Sequence, residues 1–141
     1  MLLPKKVKYR KWHSMRKNKA KFAASTETRG TTLAFGSFGL KAETGARLKS
    51  NQIESARKAM AHSLTKAGRA WIRIFPDRPI TMKAAEVPMG KGKGDLSAYC
   101  FEVKPGRVIF EVDGIDEVTA KEALRKAGTK LPIKTRVISR I

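Results

Sequence analysis

Very little in this sequence could make or break a covalent bond. It has two histidines, His13 and His62, and one cysteine, Cys100. Nucleophilic or general-base chemistry needs such a group within hydrogen-bond reach of an acidic or nucleophilic partner. His13 lies in a stretch with no acid at all. His62 lies with Arg57, Lys58 and Lys66 off the apolar stripe of a predicted helix, as a surface residue. Cys100 falls inside an apolar strand pattern, where an inert buried thiol is expected. A single cysteine excludes an intramolecular disulfide and leaves a zinc cluster without ligands. Asp116-Glu117 is the one adjacent pair of carboxylates, and a helix start accounts for it, because the helix dipole favours acids there. No catalytic residue, metal, cofactor or small-molecule substrate is expected.

What these residues can do is neutralise phosphate. Lys and Arg number 31 against 12 Asp and Glu, a net charge of +19. Self-repulsion of that size opposes compaction unless a polyanion cancels it. Nucleic acid is the first candidate, because basic side chains release the counterions condensed on its phosphates. An anionic membrane and an acidic protein are the others. No apolar run approaches the roughly 18 residues that span a bilayer, and the opening Met-Leu-Leu-Pro-Lys-Lys lacks the apolar region of a secretory signal. The chain reads as intracellular.

Two segments concentrate the cations. Residues 1–26 hold nine (Lys5, Lys6, Lys8, Arg10, Lys11, Arg16, Lys17, Lys19, Lys21), interleaved with Tyr9, Trp12, His13 and Phe22; the first acid is Glu27. Too few aliphatic residues recur there to bury a face. Residues 1–30 are therefore expected to be an extended basic arm that a partner orders. A solvated tail is the plainer alternative, but rings that can stack on bases beside cations that can meet phosphates favour nucleic acid. The second segment, residues 84–96, contains Met89, Gly90, Lys91, Gly92, Lys93 and Gly94. It is not the phosphate loop G-x-x-x-x-G-K-[ST]: Asp95 follows the last glycine, and no helix follows to contribute its dipole. Alternating glycine and lysine instead gives a flexible loop whose backbone can come close to RNA while two ammonium groups reach out. A plain flexible turn is the alternative.

The elements that must hold these segments follow from periodicity. Residues 33–40 read as a short strand broken by Gly36 and Gly39, with either a bulge or a close backbone approach at the glycines. Residues 51–67 predict a helix with Asn51 and Glu54 as an N-cap pair, Ile53, Ala56, Met60, Leu64 and Ala67 on one face, and Gly68 as its stop. Strands are predicted over 70–75, 80–83, 97–103 and 107–113, with Pro105-Gly106 as a type II turn. A second helix is capped by Asp116, runs to Ala127 and ends at Gly128, before a last strand over 133–141. That order is α+β: one domain of mixed strands with two helices over 31–141, plus the arm over 1–30.

In this order the segments resemble one family, the universal large-subunit ribosomal protein sixteen family of bacteria and organelles. Met1-Leu2-Leu3-Pro4-Lys5-Lys6-Val7-Lys8-Tyr9-Arg10-Lys11 looks like its start, which argues against a mitochondrial transit peptide. Residues 35–42, 52–57, 71–81, 89–94 and 130–135 are similar to its glycine-rich strand, first helix, two further motifs and C-terminal run. The resemblance implies a hammerhead-type α+β fold and a structural role in the large ribosomal subunit, in the cytoplasm or in an organellar ribosome. It implies binding of large-subunit rRNA below the central protuberance, support of that region's maturation, contact with A-site tRNA, and with P-site tRNA as a second option, near the peptidyl-transferase centre, and neighbouring large-subunit proteins as partners. Lys5, Lys6, Lys8, Tyr9, Arg10, Lys11, Trp12, His13, Arg16, Arg73 and Arg78 would meet rRNA. Lys83 and residues 89–94 would lie near the tRNA. One departure is Pro88, where the family usually has arginine before Met-Gly-Lys-Gly-Lys-Gly; another is the segment over 14–31. A free-standing basic nucleic-acid-binding protein is the rival reading.

Overall fold

The apolar runs at 95–103 and 108–113 become the strands around which the rest is arranged. A computed structural model describes residues 1–13, 18–64 and 66–140. Its elements are α1 (Lys19–Ala24), β1 (Phe38–Ala42), β2 (Ala46–Lys49), α2 (Ser50–Ser63), β3 (Arg69–Ile72), β4 (Arg78–Met82), β5 (Asp95–Val103), β6 (Val108–Asp113), α3 (Glu117–Gly128) and β7 (Thr135–Ser139). All strand pairings are antiparallel and make two sheets, ordered β3-β6-β1-β7 and β2-β5-β4. Helices α2 and α3 pack on each other; α3 rests against β1, β6 and β7, and α2 against β2 and β5. Leu40, Leu48, Ile53, Met60, Phe110 and Leu124 belong to one core cluster, which both helices and both sheets share. The α+β class is as expected.

Several boundaries differ, each for a local reason. Helix α2 starts at Ser50 rather than at Asn51, because Gln52 Oε1 accepts from the Lys49 N–H at 2.9 Å; Glu54 instead grips Arg57 at 2.6 and 3.0 Å. The helix ends at Ser63, short of Gly68, and Leu64 and Ala67 leave its stripe. Gly68 serves a different purpose: a Cβ there would lie 2.9 Å from Ile115, so it allows the turn into β3 to press on the segment after β6. Strand β2 escaped the sequence because four residues with Leu48 alone buried show no period. The cap at Asp116 holds as expected, accepting from the Thr119 N–H at 3.0 Å, and Gly106 has the positive φ of 98° that a type II turn needs at its third position.

The arm contains a third helix that was not expected. Asn18 accepts from the N–H groups of Ala20 and Lys21 at 3.0 and 3.3 Å and so caps the six residues of α1. On the return leg, Glu27 N–H donates to Pro105 O and Val108 N–H donates to Gly30 O, both at 2.9 Å. Arg16 and Lys17, Thr65 in the predicted helix and Ile141 in the predicted last strand lie outside the described residues.

Residues 33–37 are no strand; they form a strap across β6, and the two glycines mark close approach. A Cβ on Gly36 would sit 2.6 Å from the Val112 carbonyl oxygen, and one on Gly39 would overlap Leu33. A bulge does occur, between Leu40 and Lys41, but beyond the glycines. Gly36→Ala is expected to lower stability by about 1–3 kcal/mol, since a backbone oxygen cannot rotate away as a side chain can. Thermal unfolding checks this, and an unchanged Tm would refute the packing account.

Candidate nucleic-acid interface

The loop from residue 83 to 94 joins β4 to β5 and carries an unusual backbone. Gly90, Lys91 and Gly92 have φ of 107°, 54° and 97° in succession. Glycine takes these values freely, whereas a side-chain-bearing residue there costs on the order of 1 kcal/mol. Lys91 is the one non-glycine with positive φ among the described residues. Nothing lies within 4 Å of where a Cβ would stand on Gly90 or Gly92, so the loop tip projects from the fold and Met89 is 99 % exposed.

The lysines of this loop divide into two kinds. Lys83 turns inward and its ammonium donates to the Gly90 carbonyl. Lys93 also turns back, donating to the Trp12 carbonyl in the arm. In return Lys11 reaches the Lys93 carbonyl at 3.5 Å and the Asp95 carboxylate at 3.7 Å. Lys91, at the loop tip between Gly90 and Gly92, is exposed. Asp95 thus lies within ion-pair distance of Lys11 at the base of the loop, its carboxylate largely exposed.

Beside this clasp Glu102 joins two arginines. The Arg78 guanidinium lies 5.7 Å from the centre of the Trp12 ring and 3.0 Å from Glu102, which also holds Arg47 at 3.2 Å. Arg78 is buried, so β4 supplies a shelf for the arm's tryptophan rather than an outward cation. Along the arm Lys5, Lys6, Lys8, Tyr9, Arg10, Trp12 and His13 are exposed, and Lys8 lies 5.4 Å from the Tyr9 ring. The described parts of the predicted rRNA and tRNA segments thus meet at Lys11, Trp12, Arg78 and Lys93, whereas Arg73 lies just past β3 by the other sheet and Arg16 outside the described residues.

Arg73 belongs to a site that the sequence reading missed. It pairs with Glu111 on β6, a carboxylate with no exposed surface. Glu111 also accepts from three successive N–H groups of the strap: Ala34 at 3.2 Å, Phe35 at 2.7 Å and Gly36 at 2.7 Å. Burial pushes its carboxyl up, but the N–H groups of Gly36 and Phe35, the Arg73 guanidinium and the Ala34 N–H outweigh it, and the group titrates below the ordinary glutamate range. One clue was legible: a lone acid in the apolar run Val-Ile-Phe-Glu-Val must find partners if buried. Cys100 is buried and its thiol is pushed up by desolvation, in keeping with an inert side chain.

Residues 4–138 match the family of ribosomal protein L16p/L10e. The chain is 52% identical to "Large ribosomal subunit protein uL16" of Nitrobacter hamburgensis, over 100% of this chain and 98% of that one. It is 53% identical, with the same coverage, to the protein of that name from Rhodopseudomonas palustris strain HaA2. The Rickettsia rickettsii protein is 51% identical over 99% of this chain and 98% of its own length. A match that spans nearly every element described above, including the arm and the Gly-Lys loop, settles the assignment: the chain belongs to the L16p/L10e family, as a non-enzymatic structural constituent of the large ribosomal subunit.

Proposed function

We propose that the arm and the Gly-Lys loop act as one cationic surface that docks on large-subunit rRNA below the central protuberance and sets the loop tip beside A-site tRNA. The observation that carries this is the clasp: Lys93 on the Trp12 carbonyl and Lys11 on the Lys93 carbonyl join segments 81 and 82 positions apart. Phosphates that hold Lys5, Lys6, Lys8 and Arg10 thereby also fix where the loop can point. Basic side chains neutralise backbone phosphates without reading sequence, which suits a structural subunit protein supporting assembly. The names of the relatives favour the same setting.

Within this surface Lys91 is the cation left for tRNA. Lys91→Ala is expected to leave incorporation into large subunits unchanged while weakening A-site tRNA binding several-fold. It should also lower the salt slope of that binding by about one contact, roughly 0.7–0.9. Reconstituted subunits that bind A-site tRNA normally with this variant would rule out the tip's role. Sedimentation on a sucrose gradient at moderate salt separates the reading from its rival, since a free-standing nucleic-acid binder would not travel with large subunits.

A further inference from the structure

The strap over β6 presents an aromatic surface apart from the clasp between Lys11, Trp12 and the loop. Phe35 is 58 % exposed in a segment otherwise fixed on both sides of it by hydrogen bonds to Glu111. Its ring stacks on Trp71 of β3, with centroids 6.1 Å apart and 20° between planes, and the Arg73 guanidinium lies 5.3 Å from its centre. Trp71 and Arg73 alternate on one side of an extended segment, and Phe75, two residues on, is exposed as well. Phe35, Trp71 and Arg73 thus form a contiguous group rather than a lone exposed ring.

We propose that Phe35, backed by Trp71 and flanked by Arg73, is a stacking platform for an unpaired RNA base. The proposal rests on RNA being the partner, and it adds a second contact point built on the four-stranded sheet, whereas Lys11, Trp12 and the loop sit by the three-stranded one. Three features favour a base over an apolar protein patch. The chain carries +19. Arg29 and Arg69 are exposed on the neighbouring backbone, and Arg107 ties the Arg29 and Arg73 carbonyls together at 3.1 and 3.2 Å. The nearby acids are occupied internally: Glu111 by the strap and Arg73, and Asp113 by the Ser37 hydroxyl at 2.7 Å. Every base has a π face, so a ring with a guanidinium beside it takes a base whatever its sequence. The buried carboxylate then has a purpose beyond stability, because it holds the ring in place before RNA arrives and so reduces the ordering cost of binding.

The test uses the full chain and two labelled single-stranded probes of equal length and charge, an oligoadenylate and an abasic ribose-phosphate oligomer, followed by fluorescence anisotropy. Phe35→Ala is expected to weaken oligoadenylate binding about tenfold, leave the abasic probe unaffected and keep the salt slope unchanged. Phe35→Tyr should bind like the original chain. Phe35→Leu keeps apolar bulk over Trp71, guards against misfolding and should show the same loss as alanine. Equal losses on both probes, or no loss on oligoadenylate while the original chain binds it, overturn the platform and leave the arm-and-loop reading standing. Failure of the unaltered chain to bind either probe overturns both.

Discussion

Glu111→Gln is expected to remove about 3 kcal/mol of stability and to lower Tm by roughly 10 °C, the low end of what breaking a buried ion pair costs. The carboxylate is wholly buried and serves four donors: three strap N–H groups and Arg73. Glutamine keeps the shape but can offer one oxygen and must turn an NH2 toward groups that are themselves donors. Arg73 is left beside it without a counter-charge. The effect depends on pH with a definite sign. Because the folded-state pKa lies below the ordinary value of about 4.3, the stabilisation is fully present above that value. It is lost as pH falls through the lowered folded value. Denaturant midpoints of the two proteins should therefore differ most near neutrality and converge in acid. A difference that is small at pH 7, or that widens below pH 4, would contradict the buried-anion account. Combining the change with Arg73→Met should recover part of the loss, since the stranded cation is then gone.

The largest expected effect on RNA binding comes from neutralising the arm. Replacing Lys5, Lys6, Lys8, Arg10 and Lys11 with glutamine removes five cations. At about 0.7–0.9 per phosphate contact, the slope of log affinity against log salt should fall by up to about 4. Affinity for a large-subunit rRNA transcript should drop on the order of a hundredfold at moderate salt. Neutralisation is cleaner than deletion here, because Leu2 packs against the core and the Ser50 hydroxyl lies 3.8 Å from the Met1 sulfur. Losing Lys11 also loosens the clasp, so trypsin should cut after Lys91 and Lys93 faster in the free variant. Filter binding over a salt series reads the first effect; a slope that does not move would mean the arm's cations do not meet phosphate.

What could be read from the sequence was whatever depends on neighbours in the chain. The cap at Asp116, the turn at Pro105-Gly106, the stripe through Ile53, Ala56 and Met60 and the burial of Cys100 all follow from local pattern, and all stand. The misses depend on contacts across long separations. Nothing near Arg78 in sequence announces that Glu102 will bury it, or that Trp12 will lie on it. Lys83 and Lys93 look like outward cations beside their glycines, yet both turn back to carbonyls. The helix at Lys19–Ala24 is one turn too short for periodicity to show; its cap at Asn18 was the available sign. Glu111 shows the same limit from the other side, since its oddness was visible but its partners lie 38 positions away (Arg73) and 75 to 77 away (the strap).

The clasp between Trp12 and Lys93 also orders events in time. A chain made from its amino end releases the arm first, yet its receiving groups, Arg78, Lys93 and Asp95, come more than sixty positions later. Strand β1 waits longer still, for β6 and β7 near the carboxyl end. Through much of synthesis the most basic stretch of the polypeptide therefore trails unfastened, and closure of the clasp is a late step of folding.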